Sequence, residues 1–261
     1  MSRKIPFYKY QGAGNDFILI DDRTGEYSGL SQELVYKMCD RRFGIGGDGL
    51  MLLQSREGYD FEMVYYNANG LEGSMCGNGG RCIVAFARDL GIIERETDFL
   101  AVDGPHEALI DGVQVHLGMI DVAEIHTDGD AFVLNTGSPH YVKMVQDLAN
   151  YPVYDEGLKI RQSEGYRKEG INVNFVEADA SGYFVRTFER GVENETHACG
   201  TGATAAAMAM AALQGQHGKI DTPIRVLGGQ LRISFHKEGD HFTEVFLQGP
   251  AEFVFQGEIT L

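Results

Sequence analysis

No stretch of this 261-residue chain approaches the roughly eighteen consecutive apolar residues that a membrane-spanning helix needs, so no such span is expected. The opening residues, MSRKIPFYKYQG, lack the long apolar core of a secretory signal, and a cytoplasmic location is the expectation. Positive charge is scarce: 22 Lys and Arg stand against 38 Asp and Glu, a net charge of −16. That balance argues against nucleic-acid backbones and anionic membranes as partners, and it suits a highly soluble surface. It does not exclude an anionic small molecule, because local dipoles can outweigh a distributed field. Cysteines number four, at 39, 76, 82 and 199, and none stands in C-x-x-C spacing, so a structural zinc site is not expected. Without a secretory signal, reduced thiols are the better reading than a disulfide framework. Low-complexity linkers are also absent, so any domain boundary must be tight; it is placed near Gly118. The apolar fraction of 43% and charged fraction of 23% are those of an ordinary globular protein with a sizeable core.

Local patterns supply the elements. Ile5–Asp22 reads as two strands broken by a turn at QGAGND. Ser31 caps a short helix to about Arg42, with Leu34, Val35 and Met38 on one face. Leu50–Gln54 and Asp60–Asn67 read as strands. A glycine-rich loop, Asn69–Gly80, precedes a helix through about Asp89 that stops near Gly91. Glu107–Leu117 reads as a hairpin around Asp111–Gly112. In the second half, Phe132–Leu134 is a strand. NTGSPH makes a turn, and a helix is expected to end before Pro152. Asn172–Ala178 and Tyr183–Glu189 are strands, and a polar loop leads to Cys199 and a helix ending near Gly215. A hairpin around Gly228–Gly229 and strands near Phe242–Leu247 and Glu252–Ile259 complete the chain.

The feature that carries chemistry is an internal repeat. MCGNGGRC from Met75 and ACGTGATA from Ala198 both read Cys-Gly-x-Gly-small and then enter an apolar helix, each after a strand and a polar loop. A helix N-terminus has unpaired N–H groups and a partial positive charge, which stabilise a thiolate and suit a carboxylate ligand. Glycine lets the backbone approach such a ligand closely. Two cysteines so placed match a reaction that removes a proton from one face of a carbon and returns one to the other. Fixed dipoles on the substrate carboxylate would stabilise the carbanion-like transition state. A cofactor-independent amino-acid racemase or epimerase is therefore expected, with no metal and no organic cofactor. Taken singly, a cysteine in a glycine turn is most often a buried core thiol, and Cys39 and Cys82 keep that reading. A redox disulfide between Cys76 and Cys199 is the other functional possibility.

Beyond the repeat, the chain resembles the diaminopimelate epimerases over nearly its whole length. The resemblance runs through QGAGNDFILID from Gln11, RRFGIGGDGL from Arg41, NANGLEGSMCGNGGRC from Asn67, TGSPHYV from Thr136, NVNF from Asn172 and ERGVENETHACGTGA from Glu189. It implies an α/β (α+β) fold of two pseudo-symmetric domains, each a mainly antiparallel β-sheet wrapped around a central α-helix, with the active site in the interdomain cleft. The halves are expected at 1–118 and 119–251, with the last strand, about 252–261, returning to the first. The resemblance implies interconversion of LL- and meso-diaminopimelate, in lysine and peptidoglycan biosynthesis, by a homodimer.

Cys76 and Cys199 match the family's catalytic pair. Gly77, Asn78, Gly200 and Thr201 match the backbone donors to the reacting carboxylate. Glu189 matches a carboxylate at the reacting ammonium, and Arg190 the guanidinium that binds the distal carboxylate. Asn15, Asn67 and Asn172 match polar substrate contacts, and His140 the histidine beside the cysteines. Ser138, Asn69 and Leu71 depart from the residues common at those places, which leaves the distal pocket open. A proline or hydroxyproline racemase resembles the chain around Cys-Gly-x-Gly only. A thiol–disulfide redox protein and a non-catalytic amino-acid-binding protein are rivals of other classes.

Overall fold

The computed structural model describes residues 4–73 and 75–260; residues 1–3, Ser74, expected in the glycine-rich loop, and Leu261, expected in the last strand, lie outside the described residues. The chain divides into two compact units, Met1–Leu117 with Pro250–Leu261, and Gly118–Gly249.

The first unit contains β1 (Lys4–Gly12), β2 (Asn15–Asp21), α1 (Gln32–Cys39), β3 (Gly49–Gln54), β4 (Phe61–Asn67), α2 (Gly77–Asp89), β5 (Glu96–Ala101), β6 (Gly104–Asp111), β7 (Gln114–Gly118) and β17 (Glu252–Thr260). Its ladders run β17–β1–β2–β3–β4–β5–β6–β7. All are antiparallel except β2–β3 and β4–β5, which are parallel. Parallel neighbours need a crossover. Here α1 serves the first parallel pair and α2 the second.

The second unit contains β8 (His126–Asp128), β9 (Ala131–Asn135), β10 (Pro139–Met144), α3 (Val153–Arg161), β11 (Asn172–Ala178), β12 (Tyr183–Glu189), β13 (Asn194–Thr196), α4 (Gly200–Leu213), β14 (Gly218–Val226), β15 (Gly229–Glu238) and β16 (His241–Pro250). Its ladders run β8–β9–β10–β11–β12–β14–β15–β16, with β10–β11 and β12–β14 parallel and the rest antiparallel. The order and sense of pairing repeat those of the first unit strand for strand. Helix α3 takes the place of α1, α4 that of α2, and β13 is an addition paired to β12.

Each unit closes on its second crossover helix. Every residue of α4 from Gly200 to Ala211 is buried, as is α2 from Gly77 to Ala87. A helix apolar on all sides belongs inside its unit, and the Ala/Met composition of α4 makes it narrow enough to sit there. The same crowding explains the glycines. A Cβ on Gly79 would lie 2.6 Å from the Met51 methyl, and one on Gly80 2.5 Å from the Met75 methyl. These two glycines were expected in the loop. They lie within α2, which starts at Gly77, and Cys82, expected at the turn into the helix, lies inside it too.

One larger expectation is overturned. The stretch before Pro152 is not a helix. It is strand β10, followed by a single 3-10 turn at Leu148–Asn150, and the helix α3 begins after Pro152. The parallel ladder from His140 to Met144 along β11 decides this, burying His140, Tyr141 and Val142. Such pairing is non-local and overrides local propensity. Proline at the helix entrance, rather than at its end, agrees with its missing N–H. Ser31 caps α1 as expected, its Oγ accepting from the Leu34 amide at 3.3 Å, but the helix ends at Cys39 rather than near Arg42; Gly91, at φ +71°, ends the turn that follows α2.

Candidate active site

Both helices of the repeat begin in the same way. Cys76 is the N-cap of α2 with φ −116° and ψ 115°, and Cys199 is the N-cap of α4 with φ −119° and ψ 110°. In this extended conformation the N-cap carbonyl enters the helix while the first amides remain free of intrahelical bonds. Gly77 and Asn78, and Gly200 and Thr201, are the residues that carry those amides. Cys76 is half-buried and Cys199 buried.

In the first unit the side chains around Cys76 form a chain of polar contacts. Asn15 Oδ1 lies 3.8 Å from Cys76 Sγ and accepts from Asn78 Nδ2 at 3.1 Å. Asn15 Nδ2 donates to Asp48, whose other oxygen meets Arg41 at 2.6 Å. Arg41 also pairs with Asp16, as does Lys9 at 2.7 Å. Burial works to raise the Asp16 carboxyl, but hydrogen bonds from Arg41 and Lys9 outweigh it and hold it at about 2.

Beneath the first turn of α2 lies Arg81, wholly buried. It donates to Pro250 O at 3.4 Å, Gly77 O at 3.3 Å and Asn78 Oδ1 at 3.0 Å. All three partners are neutral, and among the described residues no carboxylate pairs with it. Burial pulls its guanidinium down to about 10, still charged at neutral pH. Asn67 stands at the end of β4, its backbone taken up by a turn with Gly70 and Leu71. Asn69 Oδ1 fixes that turn by accepting from the Leu71 amide at 3.0 Å, and the Leu71 side chain is exposed.

In the second unit Cys199 Sγ lies 3.5 Å from Thr201 Oγ1, and the Thr201 carbonyl accepts from Thr136 Oγ1 at 2.8 Å. A Cβ on Gly202 would lie 3.2 Å from Cys199 Sγ and 2.3 Å from Asn174 Oδ1, so glycine is required there. Asn174 reaches His140 Nδ1 at 3.0 Å. Burial, with the Arg190 charge adding to it, pushes His140 down to about 3, so its ring is neutral at physiological pH.

A second group gathers at the neighbouring strand ends. Asn172 Nδ2 donates to Ser138 Oγ at 2.9 Å and to Pro139 O at 3.1 Å, while its Oδ1 accepts from the Arg190 amide at 2.8 Å. The Arg190 guanidinium reaches Ser138 Oγ at 3.4 Å and Glu169 O at 3.2 Å. Ser138, one of the departures, is thus an acceptor for two of the expected binding residues. Glu189 Oε2 accepts from Thr196 Oγ1 at 2.9 Å across the β12–β13 pair.

Within the first unit, then, Cys76, Gly77, Asn78 and Asn15 come together, with Asn67 at the adjoining strand end. Within the second, Cys199, Gly200 and Thr201 stand together, His140 is linked to that helix start through Asn174, which meets Gly202, and Asn172, Arg190 and Ser138 form another group. Cys39 and Cys82 stand apart as core thiols: burial pushes each up to about 12. Sequence reading missed Arg81, Asn174, Thr187 and Thr136. A signal existed for two of them. Asn174 repeats Asn172 at a spacing of two in an apolar strand, which puts both on one face, and Arg81 interrupts an otherwise apolar helix one turn after a cysteine.

Against known families, the model for diaminopimelate epimerase matches residues 7–114 and 132–254. A curated diaminopimelate epimerase from Flavobacterium psychrophilum is 50% identical over 257 residues, covering 98% of this chain and 100% of that protein. The chain belongs to the diaminopimelate epimerase family. A second relative of the same name, from Chlorobaculum tepidum, is 43% identical over 264 residues, with 96% of this chain and 99% of that protein covered. Among solved structures, a PhzF-family phenazine biosynthesis protein from Bacillus anthracis superposes with a TM-score of 0.75 at 15% identity, covering 99% of this chain and 100% of that one. A hydroxyproline epimerase from Agrobacterium vitis gives 0.73 at 14%, covering 99% and 93%. At those identities the likeness is one of fold. These neighbours share the fold seen here, whose pseudo-symmetry shows in the repeated ladder order. No helix among the described residues is long and apolar enough to cross a membrane.

Proposed function

We propose that this protein interconverts LL-2,6-diaminopimelate and meso-diaminopimelate by cofactor-independent proton transfer between two cysteines. The observation that carries the reading is the matched pair of N-caps. Cys76 and Cys199 occupy equivalent places in the two repeated units, each at the N-cap of a buried helix whose first amides make no intrahelical bond. Membership of the diaminopimelate epimerase family supplies the substrate.

In the reaction one cysteine, as thiolate, takes the α-proton and becomes a thiol. The electron pair left on carbon is stabilised while the substrate carboxylate rests on the amides of Gly77, Asn78, Gly200 and Thr201. The other cysteine, as thiol, delivers its proton to the opposite face and becomes the thiolate. One proton leaves, one arrives, and nothing is oxidised. Which cysteine acts as base depends on which isomer is bound. Glu189 pairs with the reacting ammonium, and Arg190, Asn172, Asn15 and Asn67 hold the distal amino-acid head. The departures at Ser138, Asn69 and Leu71 bear on that distal grip: Ser138 joins Arg190 to Asn172, and Asn69 shapes the turn beside Asn67. A planar guanidinium fits the distal carboxylate, and this cluster favours a substrate with two charged heads over proline or hydroxyproline. A cytoplasmic homodimer is the accompanying expectation, which sedimentation of the purified protein would check.

The deciding experiment incubates reduced protein with LL-diaminopimelate in D₂O and follows the α-proton by NMR, with Cys76→Ala and Cys199→Ala alongside. Deuterium entry together with the meso isomer, lost in both variants, is the expected result. Absence of exchange in freshly reduced protein overturns the reading. Exchange with proline or hydroxyproline instead would reassign the substrate.

A further inference from the structure

His140 is completely buried in β10, and its two ring nitrogens differ. Nδ1 lies 3.0 Å from Asn174 Nδ2, whereas Nε2 has no hydrogen-bond partner among the described residues. Asn174 decides which nitrogen carries the proton. Its Nδ2 also lies 3.1 Å from the Tyr141 carbonyl, which can only accept. Its Oδ1 lies 2.9 Å from the Thr187 hydroxyl, which donates. The amide is therefore fixed in one orientation, with one N–H on Tyr141 O and the other on His140 Nδ1. Nδ1 must accept, so the proton sits on Nε2.

We propose that Asn174 and Thr187 are positioning residues that hold His140 as a neutral Nε2–H donor beside Cys199, so that the imidazole does not serve as the base for the Cys199 thiol. Asn174 Oδ1 and Cys199 Sγ lie on the same side of Gly202, 2.3 Å and 3.2 Å from the place a Cβ would take. In a Cys–His pair built for thiol activation, the ring takes the sulfur's proton and becomes imidazolium. Here that ion would be buried, would meet the amide hydrogens of Asn174, and would face the Arg190 charge with no carboxylate paired to it among the described residues. Arg190 is the charged group set against it; Asn174, Thr187 and the Tyr141 carbonyl are neutral. The Nε2–H remains available to an acceptor that substrate binding brings. That last use rests on the proposed epimerase reading; the tautomer does not.

The test is nitrogen NMR of the full-length protein labelled at histidine nitrogens, with the His140 signal assigned by its loss in His140→Gln. The expected spectrum shows Nε2 protonated and Nδ1 bare, unchanged from about pH 5 to about pH 8, where an ordinary histidine titrates. An Nδ1–H ring, or a titration near the ordinary value, overturns the proposal. Asn174→Asp replaces the donor with an acceptor. It should move the proton to Nδ1, introduce a titration in that window, and lower kcat for exchange by about tenfold with little change in KM. An unchanged ring in that variant also overturns it. Thr187→Val, a gentler change, should act in the same direction by a smaller factor. If wild-type protein shows the expected ring but no exchange with diaminopimelate, the substrate reading falls and the tautomer assignment stands.

Discussion

Phe17, Met51 and Tyr65 in the first unit hold the same ladder positions as His140, Asn174 and Thr187 in the second. Phe17 pairs with Gly49 as His140 pairs with Asn172, and Met51 faces Tyr65 as Asn174 faces Thr187. The glycine two residues into each helix confirms the match: Gly79 packs on Met51 and Gly202 on Asn174. One half thus supports its cysteine-capped helix on an apolar floor with an aromatic pair, Phe17 and Tyr65 at 6.1 Å. The other uses a polar relay. The charge is distributed the other way round. Arg81 stands in α2, and its counterpart in α4 is Thr204, which returns a hydrogen bond to Gly200 O at 3.0 Å. A repeated backbone has been given two different electrostatic settings for the same residue type. A substrate with one reacting centre and two faces asks for such a difference, because one cysteine must give a proton while the other takes one.

The largest expected effect removes either sulfur. Cys76→Ala and Cys199→Ala should each lower exchange by about 10²–10⁴-fold, the usual contribution of a general acid or base. Measuring LL and meso substrates separately sharpens the comparison. A variant that still exchanges the α-proton of one isomer would reveal which cysteine is base for it. Next come the residues beneath the helices. Arg81→Ala removes three side-chain hydrogen bonds and leaves a cavity in the core, and should cost about 3 kcal/mol or more in urea unfolding. Thr204→Ala should cost under about 1 kcal/mol; equal losses would break the claimed asymmetry.

Smaller again is the glycine pair. Gly202→Ala drives a methyl against the fixed Asn174 amide and should cost about 1–3 kcal/mol. Gly79→Ala meets the flexible end of Met51, which can swing, and should cost less. The smallest effect under ordinary conditions is one of pH. The unfolded chain protonates His140 below its ordinary value of 6.5, whereas the folded protein resists until about 3. Stability should therefore fall as pH drops below 6.5, by about 1 kcal/mol to pH 5.5. His140→Phe, which copies the first unit, should flatten that part of the curve. Asp16 acts in a separate, lower window. Its folded carboxyl sits at about 2 against an ordinary 3.8, so its contribution is present above 3.8 and is lost as pH falls toward 2.

Much of this was legible in the amino-acid order. β11 and β12 have the bounds their alternation predicts, and both Cys-Gly-x-Gly stretches open helices. The resemblance named the family to which the chain belongs. Two features misled. Glycines 79 and 80 read as loop because glycine weakens helices, yet they lie in α2 because Met51, Met75 and Leu117 leave no room for a side chain. The β10 segment read as helix because its short pattern fits either period; a parallel partner some thirty residues away settles it.

By itself the sequence determined that each Cys-Gly-x-Gly stretch leads into a helix, which cysteines head the repeat and which thiols are ordinary core, since turns, caps and apolar runs are local signals. The tertiary structure alone decided which polar groups meet behind each sulfur. Arg81 meets only neutral oxygens, and His140 is held neutral by Asn174 and Thr187. Those outcomes depend on strand register and on burial, and both are properties of residues far apart in the chain.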